Sequence, residues 1–363
     1  MRIKKMKLLS LFALFLIAMF SLPALAEPYL AVRTGQKCMS CHVNPTGGGK
    51  RSDAGSTFGL HVLPENSAAE LWNGRVNPYL AMGGDLRANL NYLDRHNTDN
   101  QSAFETQRAS LYLEITPIKD VLTFYVDQLL TPSASNREAY ALLWNKDRSL
   151  YLKAGRMFLP FGLRIEDDTA FIRSVSGINF ANADNGIEGG YESGAWTINA
   201  ALSNGSNGGD ENNTGKQLSF RAEHIQPGWR SGVSLNQNDG GDDPDRTMYN
   251  IFGGFRWLGI DWLAEVDAIK DKDTAQGDID RIVGLIEANR LLTKGQNLKL
   301  TLENYDPDTN VSEDQQTRTS IVWEYTPLSL LQVRVGLRIA EGIPQAADDQ
   351  NDDLFFVQLH SWF

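Results

Sequence analysis

Hydrophobic and polar residues alternate with a period of two along most of the chain from residue 77 onward. In residues 79–93, for example, Leu86 and Leu90 fall on one face, whereas Arg87 and Asn89 fall on the other. This alternation predicts β-strands that separate an apolar environment from a polar one. The predicted strands number 16 and cover residues 79–93, 104–116, 121–131, 138–145, 149–158, 186–193, 196–204, 217–225, 229–237, 247–257, 260–270, 280–291, 297–305, 317–326, 330–340 and 353–363.

The connections between these strands alternate in length. Short turns, such as residues 145–149 and 258–259, alternate with longer polar loops, such as residues 204–216 and 306–316. An even number of antiparallel strands with short turns at one end and long loops at the other is typical of outer-membrane β-barrels. The sequence therefore predicts an all-β fold in which residues 75–363 form a 16-stranded transmembrane β-barrel of the bacterial outer membrane.

Two further features favour the barrel, because a soluble β-sandwich or solenoid explains neither of them. The last predicted strand alternates and stops at Phe363, which resembles the C-terminal signal read by the bacterial barrel-assembly machinery. Indole rings prefer the membrane–water boundary, so tryptophans near the strand ends predict one interfacial aromatic belt. Seven of the eight tryptophans lie close to a predicted short turn or to the C-terminus: Trp144, Trp196, Trp229, Trp257, Trp262, Trp323 and Trp362.

Residues 1–26 predict a secretory signal peptide. A basic start precedes the apolar run 8–20, and Ala24-Leu25-Ala26 before Glu27 has the small residues of a cleavage site. Removing the four basic residues of this segment from 34 leaves 30 basic and 45 acidic residues, a net charge of −15. An acidic exported chain is a poor candidate for nucleic-acid binding, so no nucleic-acid partner is expected.

The segment between the signal peptide and the barrel, residues 27–74, contains the motif Cys38-Met39-Ser40-Cys41-His42. A C-x-x-C-H sequence in an exported chain indicates covalent haem c. Its two thiols add across the two vinyl groups of the haem, and the adjacent imidazole serves as the proximal iron ligand. A disulfide between the two cysteines and half of a zinc site are the alternatives. The adjoining His42 and the lack of further cysteines favour one haem, held by a small N-terminal haem c module.

Other residues of this module are candidates for holding the haem. His61 is the only other histidine in the module and is the candidate distal iron ligand; the alternative is an ordinary surface or packing histidine. Residues 44–50 contain three glycines followed by Lys50 but lack the full pattern of a phosphate-binding loop. We instead expect the glycines to let the backbone pass close to the haem, and Lys50 and Arg51 to meet its propionates.

Two resemblances to known families follow from these motifs. The run Ala154–Gly162, with residues 185–189 and 202–205, resembles phosphate-selective porins over about fifty residues. The whole arrangement, from Cys38–His42 to Phe363, resembles the fused monohaem cytochrome–porins, best known as outer-membrane iron oxidases of iron-oxidising bacteria. This resemblance implies electron transfer between an external donor or acceptor, such as Fe(II), and periplasmic c-type cytochromes. An Fe(II):cytochrome c oxidoreductase is one activity that it implies.

Several functions stay open at this point. The chain could be a diffusion porin for small solutes such as anions, with a structural or regulatory haem, or a peroxidase with an open iron position. Acidic clusters within loops 239–245, 306–314 and 341–353 could concentrate Fe(II) at the mouth, although solubility and divalent bridging to lipopolysaccharide also explain them. The module has 48 residues (27–74), and a chain this short rarely folds unaided. We therefore expect it in or just below the periplasmic mouth of the barrel.

Overall fold

The computed structural model describes residues 27–68, 70–96, 98–179, 181–211, 213–241, 244–275, 277–342 and 351–363. The predicted signal peptide, residues 1–26, lies outside the described residues, as do Asp242, Asp243, Asp348 and Asp349 of the acidic loops. Within the described ranges, no helix is long and apolar enough to cross a membrane.

The helical elements are short and lie in two segments. Pro28 begins the first helix, where its missing N–H costs nothing, and Gly35 ends it in the left-handed conformation with φ 70°. The side chain of Ser52 caps the third helix by accepting a hydrogen bond from the Gly55 N–H at 3.1 Å. The helices are α1 (Pro28–Thr34), α2 (Cys38–Cys41), α3 (Asp53–Thr57), followed by a π-helical turn (Phe58–Val62), and α4 (Phe171–Ser174).

The strands of the described chain form one antiparallel sheet. Sixteen strands pair with their sequence neighbours, and the last pairs with the first, as in the partners Val357 and Leu90, so the sheet closes into a barrel. A short strand, β1 (Arg75–Asn77), adds to β2 at the mouth. The barrel strands are β2 (Leu80–Asp94), β3 (Gln101–Ile118), β4 (Leu122–Thr131), β5 (Ser135–Trp144), β6 (Leu150–Met157), β7 (Asp184–Ser193), β8 (Trp196–Ser203), β9 (Gln217–Gln226), β10 (Trp229–Asn238), β11 (Asp245–Trp257), β12 (Ile260–Thr274), β13 (Gly277–Thr293), β14 (Gln296–Asp306), β15 (Gln316–Leu328), β16 (Leu331–Glu341) and β17 (Asp353–Trp362).

The wall of this barrel presents apolar side chains outward and polar ones inward. On β2, Leu86 and Leu90 are exposed on the outside, whereas Arg87 and Asn89 are buried in the lumen. A closed ladder pairs its backbone groups internally, and an apolar outer face replaces water contact with lipid contact. The predictions of an all-β 16-stranded barrel and of its place in the outer membrane are thus confirmed.

The expectation of one aromatic belt is wrong for two tryptophans. Trp196, Trp229 and Trp257 are exposed on the outer face, but Trp144 and Trp362 are only 5% and 4% exposed and lie in the lumen. Strand parity decides this outcome, because neighbours in a strand face opposite sides of the sheet. A position near a turn therefore does not by itself place an indole ring at the lipid boundary.

Two segments fill the lumen. Residues 27–68 enter at the end with the short turns, where the Glu65 N–H donates to the Thr326 carbonyl at 2.9 Å. Helix α1 packs against β9 to β12, and its Arg33 forms an ion pair with Asp261. The second segment is the connection 158–183, which folds inward between β6 and β7. The principal apolar core of the described chain therefore lies inside the barrel and includes Tyr29, Val32, Leu63, Phe161, Leu163, Met248, Phe252 and Leu263.

Candidate functional site

The C-x-x-C-H motif lies inside the barrel on helix α2. Cys38 and Cys41 are free thiols at the two ends of this helix. The His42 N–H donates to the Cys38 carbonyl at 2.9 Å, and the Ser52 N–H donates to the Cys41 carbonyl at 2.9 Å. Helix α3 packs tightly here, since a Cβ at Gly55 would lie 1.9 Å from the Cys41 oxygen. The backbone around the motif thus fixes the spacing of the two thiols and the imidazole.

Cys38, Cys41 and His42 all line one large cavity. It is bounded by the N-terminal segment, by the connection 158–183 and by the barrel wall, and it encloses about 1710 Å³, part of which is open to solvent. Binding pockets for small molecules are typically lined by apolar side chains with a few polar or charged groups. Apolar and cationic side chains line the cavity together: Phe58, Leu63, Phe161, Trp362, Arg51 and Arg164.

The imidazole of His42 is buried at this cavity, next to the backbone of Gly48 and Gly49. Its Nδ1 atom is buried and has no hydrogen-bond partner among the described residues. Burial lowers the pKa of His42 to about 4, and the cations of Arg51 and Arg164 act in the same direction. The imidazole is therefore neutral near pH 7, the form that binds a metal ion. Burial also raises the pKa of the Cys38 and Cys41 thiols, which are protonated at this pH.

Of the two predicted propionate contacts, only Arg51 is unpaired. Its guanidinium lies over the ring of Trp362, 4.9 Å from the centroid, and has no ion-pair partner in the described part of the chain. Lys50 also lines the cavity, but its Nζ lies 3.0 Å from Glu114 Oε2 and donates to the Arg51 carbonyl at 3.0 Å. Arg51 is thus the cation available to a ligand carboxylate, whereas Lys50 is already paired with Glu114.

His61 and His360 differ in their position relative to the cavity around His42. His61 is exposed on the π-helical turn and is not among the residues that line the cavity, so its role as distal ligand stays a prediction. His360 on β17 does line the cavity and was not predicted. Its Nε2 lies 2.9 Å from Asp85 Oδ2 and its Nδ1 lies 3.2 Å from Gln332 Oε1, so both nitrogens are engaged. The parity of the last strand was the signal that could have placed His360 in the lumen.

The connection 158–183 ties the motif segment to the wall. Arg164 donates to Thr46 Oγ1 at 2.9 Å and to the Gly47 carbonyl at 2.8 Å, beside Cys38. Sequence reasoning missed Arg164, because the porin-like run 154–162 marked the start of this connection but not its inward fold. Further contacts hold the connection on the other side of the lumen, where Asp167 forms an ion pair with Arg338.

Glu166 in this connection is held in its ionised form. Burial opposes ionisation, but Arg334 and Arg87 outweigh it and hold the pKa of Glu166 well below its usual range. The pKa of Asp167 is also lowered, with Arg338 as the main cation working against burial. Because these folded-state pKa values lie below the unfolded ones, docking is fully stabilised above about pH 4 and is lost as the pH falls through the folded values.

We therefore expect the connection 158–183 to resist pepsin at pH 4 and to be cleaved only at markedly lower pH. A double variant, Glu166→Gln with Asp167→Asn, lacks both carboxylates and should be cleaved readily at pH 4. Peptide mapping after brief pepsin treatment across pH 2 to 4 measures this difference. Equal cleavage profiles for the two proteins would show that these ion pairs do not hold the connection in place.

Comparison with known proteins supports the fold but assigns no family. No known family model and no curated protein sequence matches the chain. Among solved structures, the anion-selective porin from Comamonas acidovorans matches with 12% identity and a TM-score of 0.63. The match covers 78% of this chain and 99% of that one. The fold is that of the porins.

Two other solved outer-membrane proteins match the fold at similarly low sequence identity. The loop L8 deletion mutant of OmpT, an outer-membrane protein of Vibrio cholerae, matches with 12% identity, a TM-score of 0.60 and coverage of 78% and 99% of the two chains. OmpF of Salmonella typhi, solved with daunomycin, matches with 11% identity, a TM-score of 0.60 and coverage of 78% and 97%. At such low identity the likeness concerns the fold alone.

Proposed function

We propose that this protein transfers electrons across the outer membrane through one haem c that is covalently held in the barrel lumen. The observation that carries the proposal is the position of Cys38, Cys41 and His42, which line one lumen cavity together. The buried, uncharged imidazole of His42 supports it, because a neutral imidazole is the form that binds iron. The resemblance to fused monohaem cytochrome–porins agrees with this assignment.

The residues of the cavity fit such a group. Each thiol, of Cys38 and Cys41, would add across one vinyl group, with sulfur bonding to one carbon and the thiol hydrogen passing to the other. The neutral imidazole of His42 would serve as the proximal ligand, and the unpaired guanidinium of Arg51 would hold a propionate. A bound haem supplies a one-electron carrier. The distal ligand is not assigned, since His61 is exposed and is not among the residues that line the cavity.

The surrounding side chains would isolate this carrier from water. Phe58 and Leu63 supply apolar walls, and α1 closes one side of the cavity with Tyr29, which is fully buried. A site placed between the short-turn mouth and the connection 158–183 lies between the two sides of the membrane. We propose that it accepts electrons from an external donor such as Fe(II) and passes them to a periplasmic c-type cytochrome.

Vesicles test this proposal directly. Holoprotein is inserted into liposomes that enclose ferric cytochrome c, with Fe(II) outside and a potassium ionophore to balance charge. Each Fe(II) oxidised to Fe(III) outside should reduce one enclosed cytochrome, which the visible spectrum reports. The Cys38→Ala, Cys41→Ala variant should give no reduction. Equal reduction by both proteins would mean that Fe(II) leaks through an open pore, and no reduction by the holoprotein would also overturn the proposal.

A second candidate function is diffusion of small solutes. The solved structures with this fold are porins, one of them described as anion-selective, and the comparisons taken alone favour this function. Under this alternative the N-terminal segment narrows the pore without closing it, and any haem is structural or regulatory. Electrical conductance separates the two candidates, because a diffusion porin conducts as the full-length protein.

A further inference from the structure

A second cavity lies at the opposite end of the barrel, where the long loops begin. It encloses about 950 Å³, part of it open to solvent, between the connection 158–183 and the inner wall of strands β9 to β13. It shares no lining residue with the cavity around His42. Its polar and charged lining includes Gln217, Asn238, Arg246, Asp271 and Arg281.

Two amide side chains that line this cavity have oxygens without a hydrogen-bond partner among the described residues. Gln217 and Asn238 are directly opposite each other on β9 and β10. Gln217 Nε2 donates to Asn236 Oδ1 at 3.0 Å, and Asn238 Nδ2 donates to the Gly205 carbonyl at 3.2 Å, which fixes both amide orientations. Their oxygens are buried and have no hydrogen-bond partner in the described chain, and Gln217 is only 6% exposed. Such acceptors call for hydroxyl or other N–H or O–H donors.

Among the described residues that line this cavity, the charged side chains leave one positive charge unbalanced. Asp271 accepts hydrogen bonds from Arg246 at 2.6 and 2.9 Å, and the same carboxylate lies 3.1 Å from Arg281 Nη2. Two guanidinium groups therefore share one carboxylate. The Nε of Arg281 is also buried and has no partner among the described residues. An excess cation with a spare N–H donor suits a carboxylate oxygen.

We propose that this cavity binds small hydroxylated carboxylates. A ligand of this class satisfies both halves of the site, since its carboxylate meets Arg281 and its hydroxyls donate to the amide oxygens of Gln217 and Asn238. A neutral sugar leaves the positive charge unbalanced, and a simple fatty carboxylate leaves the two amide oxygens unsatisfied. The inference goes beyond the proposed electron transfer and does not depend on haem.

Calorimetric titration of the full-length protein with three probes tests the site. Gluconate carries both groups, glucose has only the hydroxyls, and hexanoate has only the carboxylate. We expect gluconate to bind at least about tenfold more tightly than either of the others, since each of these leaves one buried group of the site unsatisfied. Equal binding of glucose would indicate a neutral sugar site, and equal binding of hexanoate a plain anion site. Either result, or no binding of gluconate, would overturn the proposal.

Variants locate the binding to these residues. Gln217→Leu, Asn238→Leu and Arg281→Gln should each weaken gluconate binding about tenfold. Lys272→Gln is the matched control, because Lys272 is an exposed cation at the same end of the barrel that does not line the cavity. The three site variants differ in strand and chemistry, so misfolding of one leaves the others informative. Unchanged affinity in folded site variants, or an equal loss in the control, would contradict the assignment.

Discussion

A chain carrying both Cys38→Ala and Cys41→Ala is expected to fold as the same barrel and to lose all covalent haem. The two thiols are the only cysteines in the sequence, so no other residue can form the thioether bonds. The wall does not depend on them, because its strands pair with one another and close through β17 and β2. Haem staining of the denatured protein measures attachment, and the gel shift on heating measures barrel folding.

Ser40→Ala is the matched control for this experiment. Ser40 lies between the two cysteines on helix α2 and is exposed, so its loss leaves the thiols and His42 in place. We expect full haem staining of this variant. Covalent haem in the double cysteine variant would contradict the assignment, and so would a wild-type protein that leaves the c-type maturation machinery without haem.

The second large effect is expected from removing the N-terminal segment. Deleting residues 29–66 should convert a protein without steady conductance into one with large open-channel steps in planar bilayers. A 16-stranded barrel leaves an aqueous channel when its lumen is empty. The segment fills part of that lumen, and Arg164 links it to the connection 158–183, which fills more. Asp261 of the wall loses Arg33 but keeps Arg256 and becomes hydrated, so the wall should remain folded.

Full-length protein with intact haem is the reference for this comparison. Stable open conductance of the full-length protein would favour the diffusion function over the electron relay. A folded deletion variant that stays silent would show that the connection 158–183 alone closes the channel. The Ser40→Ala variant should behave as the full-length protein does, since it changes no contact between the segment and the wall.

The strands were predictable because lipid on one side and water on the other impose a strict alternation. The first predicted strand, residues 79–93, differs by one residue at each end from β2 (Leu80–Asp94). The aromatic belt was less predictable, because it depends on the face as well as the height of each side chain. Trp362 illustrates this, since it sits near the barrel end but packs under Arg51 in the lumen.

The candidate site was only partly predictable. Cys38, Cys41 and His42 form a local motif, and their spacing along the chain carries the chemistry. Arg164 and His360 join the cavity from positions more than a hundred residues away, and only the closed barrel brings them near the motif. Lys50 forms an ion pair with Glu114 of the barrel wall, and no local sequence pattern reveals this contact.

The central claim is that the lumen segment holds one covalently attached haem c with His42 as a ligand. A redox-titrated visible spectrum of the full-length protein, produced with the c-type maturation machinery, tests it most directly. We predict the absorption bands of a c-type haem, one haem for each chain, and a single one-electron transition that changes in potential or spin state in His42→Ala. A protein without these bands, or a spectrum and potential that His42→Ala leaves unchanged, would contradict the claim.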